Sequence, residues 1–130
     1  MKTEIQNIKS DKPLEIANTV TVEQPEGFLI DTDNKLSKDE IIALIRDYSI
    51  KYNVDPERSI RIAKCESGFN PLAKSKTGKF KGLFQFMNST WVANAKRLSL
   101  ENPDVFNPEH NIQIATWMFS QNQYSQWGCK

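Results

Sequence analysis

From Ser37 onward the apolar positions fall into short periodic blocks set off by helix punctuation. Ser37 with Glu40 three residues later is a capping-box pattern, and Ile41, Ile42, Leu44, Ile45, Tyr48 and Tyr52 behind it are spaced along one helix face. Asp55 before Pro56 puts an N-cap ahead of a proline at the first helical position, and Ile60, Ile62, Ala63 and Cys65 continue to a stop at Gly68. Between Phe69 and Met87 the helical period gives way to turn residues (Asn70, Pro71, Thr77, Gly78, Gly82) and the alternating set Phe80, Phe84 and Phe86. That stretch predicts an irregular loop leading into a small hairpin. A third helix is predicted from Asn88 or Ser89, carrying Trp91, Val92, Ala95 and Leu98, with Pro103 as its end. Asn107 before Pro108 repeats the cap-plus-proline signal and opens a last helix through Ile112, Ile114, Ala115, Met118 and Phe119. The expected fold class is α+β, mainly α.

Residues 1–36 show no sustained period, and of the chain's thirteen aromatic residues they hold only Phe28. They contain four basic and seven acidic residues, a net of −3, and cannot bury a core alone. We read 1–36 as a flexible acidic leader or tether, with docking of Phe28, Leu29 and Ile30 as a short strand the alternative, and 37–130 as the folded domain. The other thirteen basic and nine acidic residues give that domain +4, so the overall +1 describes neither part. A charge this small argues against a duplex nucleic-acid binder working by charge neutralisation, while leaving a local basic patch open. No apolar run approaches the roughly 18 residues that span a bilayer. The N-terminus has no apolar core of a secretory signal, so export would depend on something this sequence does not show.

Cys65 and Cys129 lie 64 positions apart, with His110 the lone histidine, so the spacing is not that of a zinc site, and no metal or cofactor is expected. Two free buried thiols or one disulfide remain, and we favour the disulfide. It would imply an oxidising, extracytoplasmic setting.

The acidic residues after Cys65 are few: Glu66, Glu101, Asp104 and Glu109. Glu101 and Asp104 flank a probable loop, and Glu109 sits in the first turn of a helix, where its charge complements the dipole. Glu66 is different. It falls in the last turn of its helix, where unpaired carbonyls disfavour an anion, beside Cys65, Gly68 and Phe69, and both effects should raise its pKa. A carboxyl held protonated near neutral pH is what a general acid for glycosidic cleavage needs; by position alone, a solvated helix-end glutamate is the ordinary reading.

The sequence around Glu66 changes that balance. Cys65-Glu66-Ser67-Gly68-Phe69-Asn70-Pro71, then Gly82-Leu83-Phe84-Gln85-Phe86 with Thr90-Trp91, then Asn107-Pro108-Glu109-His110-Asn111-Ile112, closely resemble the catalytic domain of lytic transglycosylases and goose-type lysozymes. The nearest group is the resuscitation-promoting-factor-like one, in which a Cys precedes the Glu-Ser and a Trp-x-Cys like Trp127-Gly128-Cys129 closes the domain. The resemblance covers about residues 38–130. It implies a lysozyme-like fold with a small β-hairpin beside the substrate cleft, acting as a monomer on the glycan strands of peptidoglycan. Glu66 matches the catalytic acid. Ser67, Phe84, Gln85 and Asn111 fall on motif positions and are expected to bind substrate, although Asn111 reads more naturally as a structural polar residue and Gln85 as a strand residue pointing away from buried Phe84 and Phe86. Trp91, Trp117 and Trp127 are expected in the core, and Tyr124 has no assigned place. The later Tyr-Asn motif of many soluble lytic transglycosylases has no clear counterpart.

Most glycosidases flank the scissile bond with two carboxylates about 5 to 9.5 Å apart. Glu57, nine residues before Glu66 on the same helix, would lie roughly 13 Å away along its axis. Pairing of Glu66 with Asp47 or Asp104 brought close by the fold stays open, but the scarcity of acids favours a single-carboxylate scheme, as the resemblance also implies, in which Glu66 is first acid and then base and the product ends in a 1,6-anhydro sugar. Hydrolysis in the lysozyme manner and a non-catalytic peptidoglycan-binding module are the alternatives. Lys74, Lys76, Lys79 and Lys81 form a run with no acid among them, either a solubilising face or an attraction to an anionic wall.

Overall fold

A computed structural model describes residues 35–129. The leader expected over 1–36 lies, apart from Lys35 and Leu36, outside the described residues. The described part has the predicted class, mainly helical with one two-stranded antiparallel hairpin.

Helix α1, Lys38–Lys51, starts on the predicted capping box, with Ser37 and Glu40 satisfying each other's backbone N–H. Helix α2, Pro56–Ser67, is capped by Asp55, and it ends where Gly68 turns left-handed at φ +63° and donates its N–H to the Lys64 carbonyl. Helix α4, Pro108–Ser120, starts where the Asn107 side chain accepts the N–H groups of Glu109 and His110. It is the central element. Asn111, Ile112, Ile114, Ala115, Thr116, Met118 and Phe119 are all buried, a pattern too broad for a surface helix. Helices α1 and α3 both pack on it.

Helix α3, Asn88–Arg97, ends well before Pro103, which the sequence reading took as its stop. The cause is local: Ser99 adopts φ +55°, and the N–H groups of Leu100 and Ser99 return to the carbonyls of Ala95 and Lys96, a Schellman closure. The same closure ends α1 at left-handed Asn53 and α4 at left-handed Asn122.

The hairpin is shorter than the aromatic alternation suggests. Strand β1, Phe80–Lys81, pairs with β2, Phe86–Met87, in the register Phe80↔Met87 and Lys81↔Phe86. Residues 82–85 form the connecting turn, so Phe84 and Gln85 lie on no strand, and Gln85 has φ +55°. Gly82 has φ +84°, and a Cβ there would lie 2.3 Å from Asn111 Nδ2 and 2.4 Å from the Val105 carbonyl oxygen.

Behind the turn, Trp127 meets Phe84, Phe86 and Phe119 edge to face at centroid distances of 6.5, 5.6 and 4.8 Å. Phe86 also packs on Trp91. Trp91 and Trp127 are buried as expected, and Trp117 is half-buried. Tyr124 stacks flat on Phe119 at 4.7 Å, with the Arg58 guanidinium 3.7 Å from its ring centroid. A disulfide joins Cys65 to Cys129. Closing a loop of 64 residues contributes on the order of 4 kcal/mol by chain entropy.

The close approach at Gly82 is testable. Gly82→Ala should lower stability by about 3 kcal/mol, roughly 15 °C in thermal unfolding, since backbone and buried carboxamide must both yield. A melting temperature within about 2 °C of the parent would contradict this packing.

Candidate active site

Glu66 sits in the last turn of α2, half-buried. Its Oε2 accepts the backbone N–H of Cys129 at 3.4 Å. Burial pushes its carboxyl pKa up from the ordinary range, and the Cys129 N–H, which favours the charged form, offsets part of that rise. The disulfide one residue away holds Cys129 at this spot. The chain end is thus part of the environment of the acid.

The same C-terminal segment grips the 82–85 turn. Trp127 Nε1–H donates to the Phe84 carbonyl at 2.7 Å, and Gln126 Nε2–H reaches the Gln85 carbonyl at 3.4 Å. From the other side Asn111 Oδ1 accepts the Phe84 N–H at 2.8 Å while its Nδ2–H donates to the Val105 carbonyl at 2.8 Å. Both backbone groups of Phe84 are therefore held by buried side chains. The strap 126–129 runs from the turn to Glu66 and joins two motifs that are far apart in sequence.

These positions revise the expected substrate contacts. Phe84 and Asn111 are each 0 % exposed, so neither can touch a ligand. Phe84 is an anchor of the aromatic core, and Asn111 is the clamp on the turn. Gln85 is also nearly buried, because as a left-handed turn residue it folds back and donates both amide protons, to the carbonyls of Ala73 at 3.1 Å and Gly82 at 2.8 Å. Only its Oε1 is left for a ligand. Ser67, half-buried, donates to the Ala63 carbonyl at 3.3 Å and accepts the Asn70 N–H at 3.2 Å, closing the end of α2. Gln126, absent from the sequence reading, carries a buried Oε1 with no hydrogen-bond partner. No motif signal marks it, whereas Trp127 and Cys129 stand in the Trp-x-Cys ending and Cys129 also in the expected disulfide.

Several other carboxylates have occupations of their own. Glu57 pairs with Arg46 at 2.6 Å, and Asp55 and Glu40 cap helices. Asp104 accepts the Phe106 N–H. Glu109 accepts the Tyr48 hydroxyl at 2.7 Å, which together with burial raises the Tyr48 pKa.

A carboxyl whose pKa is higher in the folded than in the unfolded chain makes folding less favourable as pH rises from the unfolded value toward and through the folded one. Glu66→Gln should therefore raise the melting temperature at pH 8 and leave it nearly unchanged at pH 4. A melting temperature below the parent's at pH 8, with no change at pH 4, would show that the folded protein stabilises the carboxylate instead.

The profile of the transglycosylase SLT domain matches residues 43–129. A membrane-bound lytic murein transglycosylase C from Photorhabdus laumondii subsp. laumondii is 33 % identical over 90 residues, which cover 64 % of this chain and 25 % of that protein. The chain thus corresponds to about a quarter of the length of that relative. No solved structure matches. On the match across most of its described residues, from the helix before Glu66 to the cysteine that closes the strap, the chain belongs to the transglycosylase SLT domain family.

Proposed function

We propose that this chain cleaves the glycan of peptidoglycan at the bond between N-acetylmuramic acid and N-acetylglucosamine, as a lytic transglycosylase with Glu66 as its one catalytic carboxyl. The observation that carries the reading is the environment of Glu66, a half-buried acid of raised pKa at the end of a helix. Glu66 donates its proton to the glycosidic oxygen as the bond to C1 breaks. The substrate's own acetamido group stabilises the positive centre. The resulting carboxylate accepts the C6 hydroxyl proton as that oxygen bonds to C1, giving a 1,6-anhydro end and consuming no water. Acid and base are the same group, so a carboxyl with a pKa displaced toward neutrality suits both half-reactions. Hydrolysis would call for a placed water and, in most glycosidases, a second carboxylate. Glu57, Asp104 and Glu109 are already engaged elsewhere.

We assign the 82–85 turn to substrate contact through Gln85 Oε1, since both amide protons of that side chain are already donated to backbone carbonyls. The disulfide fits work outside the reducing cytoplasm, in the cell wall or periplasm. Among the described residues no helix is long and apolar enough to cross a membrane. We assign the residues before Ser37 to a tether.

Glu66→Gln should slow clearing of cell-wall suspensions by at least about a hundredfold while retaining sedimentation with the wall. Mass spectrometry of the released fragments should find ends one water lighter than reducing ends. An unchanged lytic rate would remove Glu66 as the acid, and reducing ends alone would make the reaction a hydrolysis.

A further inference from the structure

The stretch from Ser67 to Leu100 contains no acidic residue, and its first half carries four lysines at 74, 76, 79 and 81. The fold gathers them. Ser75 N–H donates to the Phe80 carbonyl at 2.9 Å and Gly82 N–H to the Ala73 carbonyl at 2.8 Å. Those two bonds make Lys74 and Lys81 a directly opposed, non-hydrogen-bonded antiparallel pair, the arrangement that brings side chains closest on one face. Lys76 and Lys79 lie exposed at the tip between them. Like charges set opposite one another work against strand pairing. Among the described residues no carboxylate pairs with any of the four; the ion pair observed there is Arg46–Glu57, on other elements. Lys74 is steered by the Phe106 ring, whose centroid is 5.7 Å from its ammonium.

The lysine hairpin is also joined to the site. The Ala73 carbonyl that takes the Gly82 N–H takes an amide proton of Gln85 as well, so the residues bounding the array, Ala73 and Gly82, are those that hold Gln85. A strand seated against Gln85 is at the foot of the array.

We propose that this hairpin docks the free carboxylates of the peptide stems on peptidoglycan, so that the chain prefers stem-bearing strands to bare glycan. The inference rests on the peptidoglycan reading above. Stems are covalently attached to the strand being cut, so a bound strand brings its carboxylates close to the site without a second binding event. The array has lysines and no arginine. Flexible point charges suit carboxylates whose positions vary from stem to stem, where a fixed bidentate grip would not.

The test compares strands stripped of phosphate-bearing wall polymers with the same strands after an amidase has removed their stems and the lactyl carboxylate left by each cut has been capped as a methylamide. For the full chain, kcat/KM should be about tenfold higher on stem-bearing strands, through KM, as four solvent-screened charge contacts together supply. Replacing Lys74, Lys76, Lys79 and Lys81 with glutamine should bring that ratio close to one, and salt near 1 M should do the same to the parent. The variant should melt no lower than the parent, because the opposed pair is relieved. If it fails to fold, Lys76→Gln with Lys79→Gln, both at the exposed tip, should still halve the ratio or more. Equal rates on both strands for the parent, or a preference that survives the substitutions, overturns the proposal. So does an effect of the lysines seen only on walls that keep their phosphate polymers, which would make the polymer the partner. Cleavage of neither strand would instead remove the peptidoglycan reading itself.

Discussion

The buried carboxamide of Asn111 is the contact on which the site's geometry depends. It is 0 % exposed and spans two backbone groups, the Phe84 N–H and the Val105 carbonyl, that have no place in a helix or ladder. Losing it would leave both unpaired in the interior, at about 1–3 kcal/mol each. The space it fills is the space that Gly82 leaves by having no side chain. Asn111 reaches this spot because Asn107 caps α4 and sets its first turn beneath the hairpin. A capping signal on one segment thereby fixes a turn some twenty-five residues earlier.

Trp127 completes the clamp from the other side and explains why the C-terminal segment belongs to the site. Its ring is the meeting point of Phe84, Phe86 and Phe119, and its indole N–H holds the Phe84 carbonyl. Two residues further on, the disulfide to Cys65 brings the Cys129 N–H to Glu66. The hydrophobic cluster, the covalent link and the environment of the acid are successive parts of one short strap. The balance on Glu66 follows from it: burial favours the neutral form, and one backbone donor keeps the charged form accessible.

What the sequence shows and what it hides divide along local and non-local lines. The starts of α1, α2 and α4 were legible because caps act within three residues of themselves, and Ser37, Asp55 and Asn107 each do what their neighbours suggest. The end of α3 was not, because Ser99 in a left-handed conformation stops it before Pro103 is reached, and serine carries no strong signal for that role. Phe84 and Gln85 were misplaced on a strand because alternation of Phe with other residues looks the same whether the intervening residue is in a strand or in a tight turn. Motif membership singled out Phe84 and Asn111 but not their work, which is to hold the turn from inside. Gln126 had no signal, since its contact with the Gln85 carbonyl exists only once the strap is in place.

Burial at the end of α2 raises the Glu66 pKa while the strap holds the Cys129 N–H against its carboxyl. Titration of the Glu66 side-chain carboxyl by carbon-13 NMR, read together with the Cys129 amide, tests this directly. The carboxyl should titrate above the usual glutamate value of about 4.3, with the Cys129 amide shifting through the same midpoint. A midpoint at or below that value, with a Cys129 amide that does not respond, would contradict it.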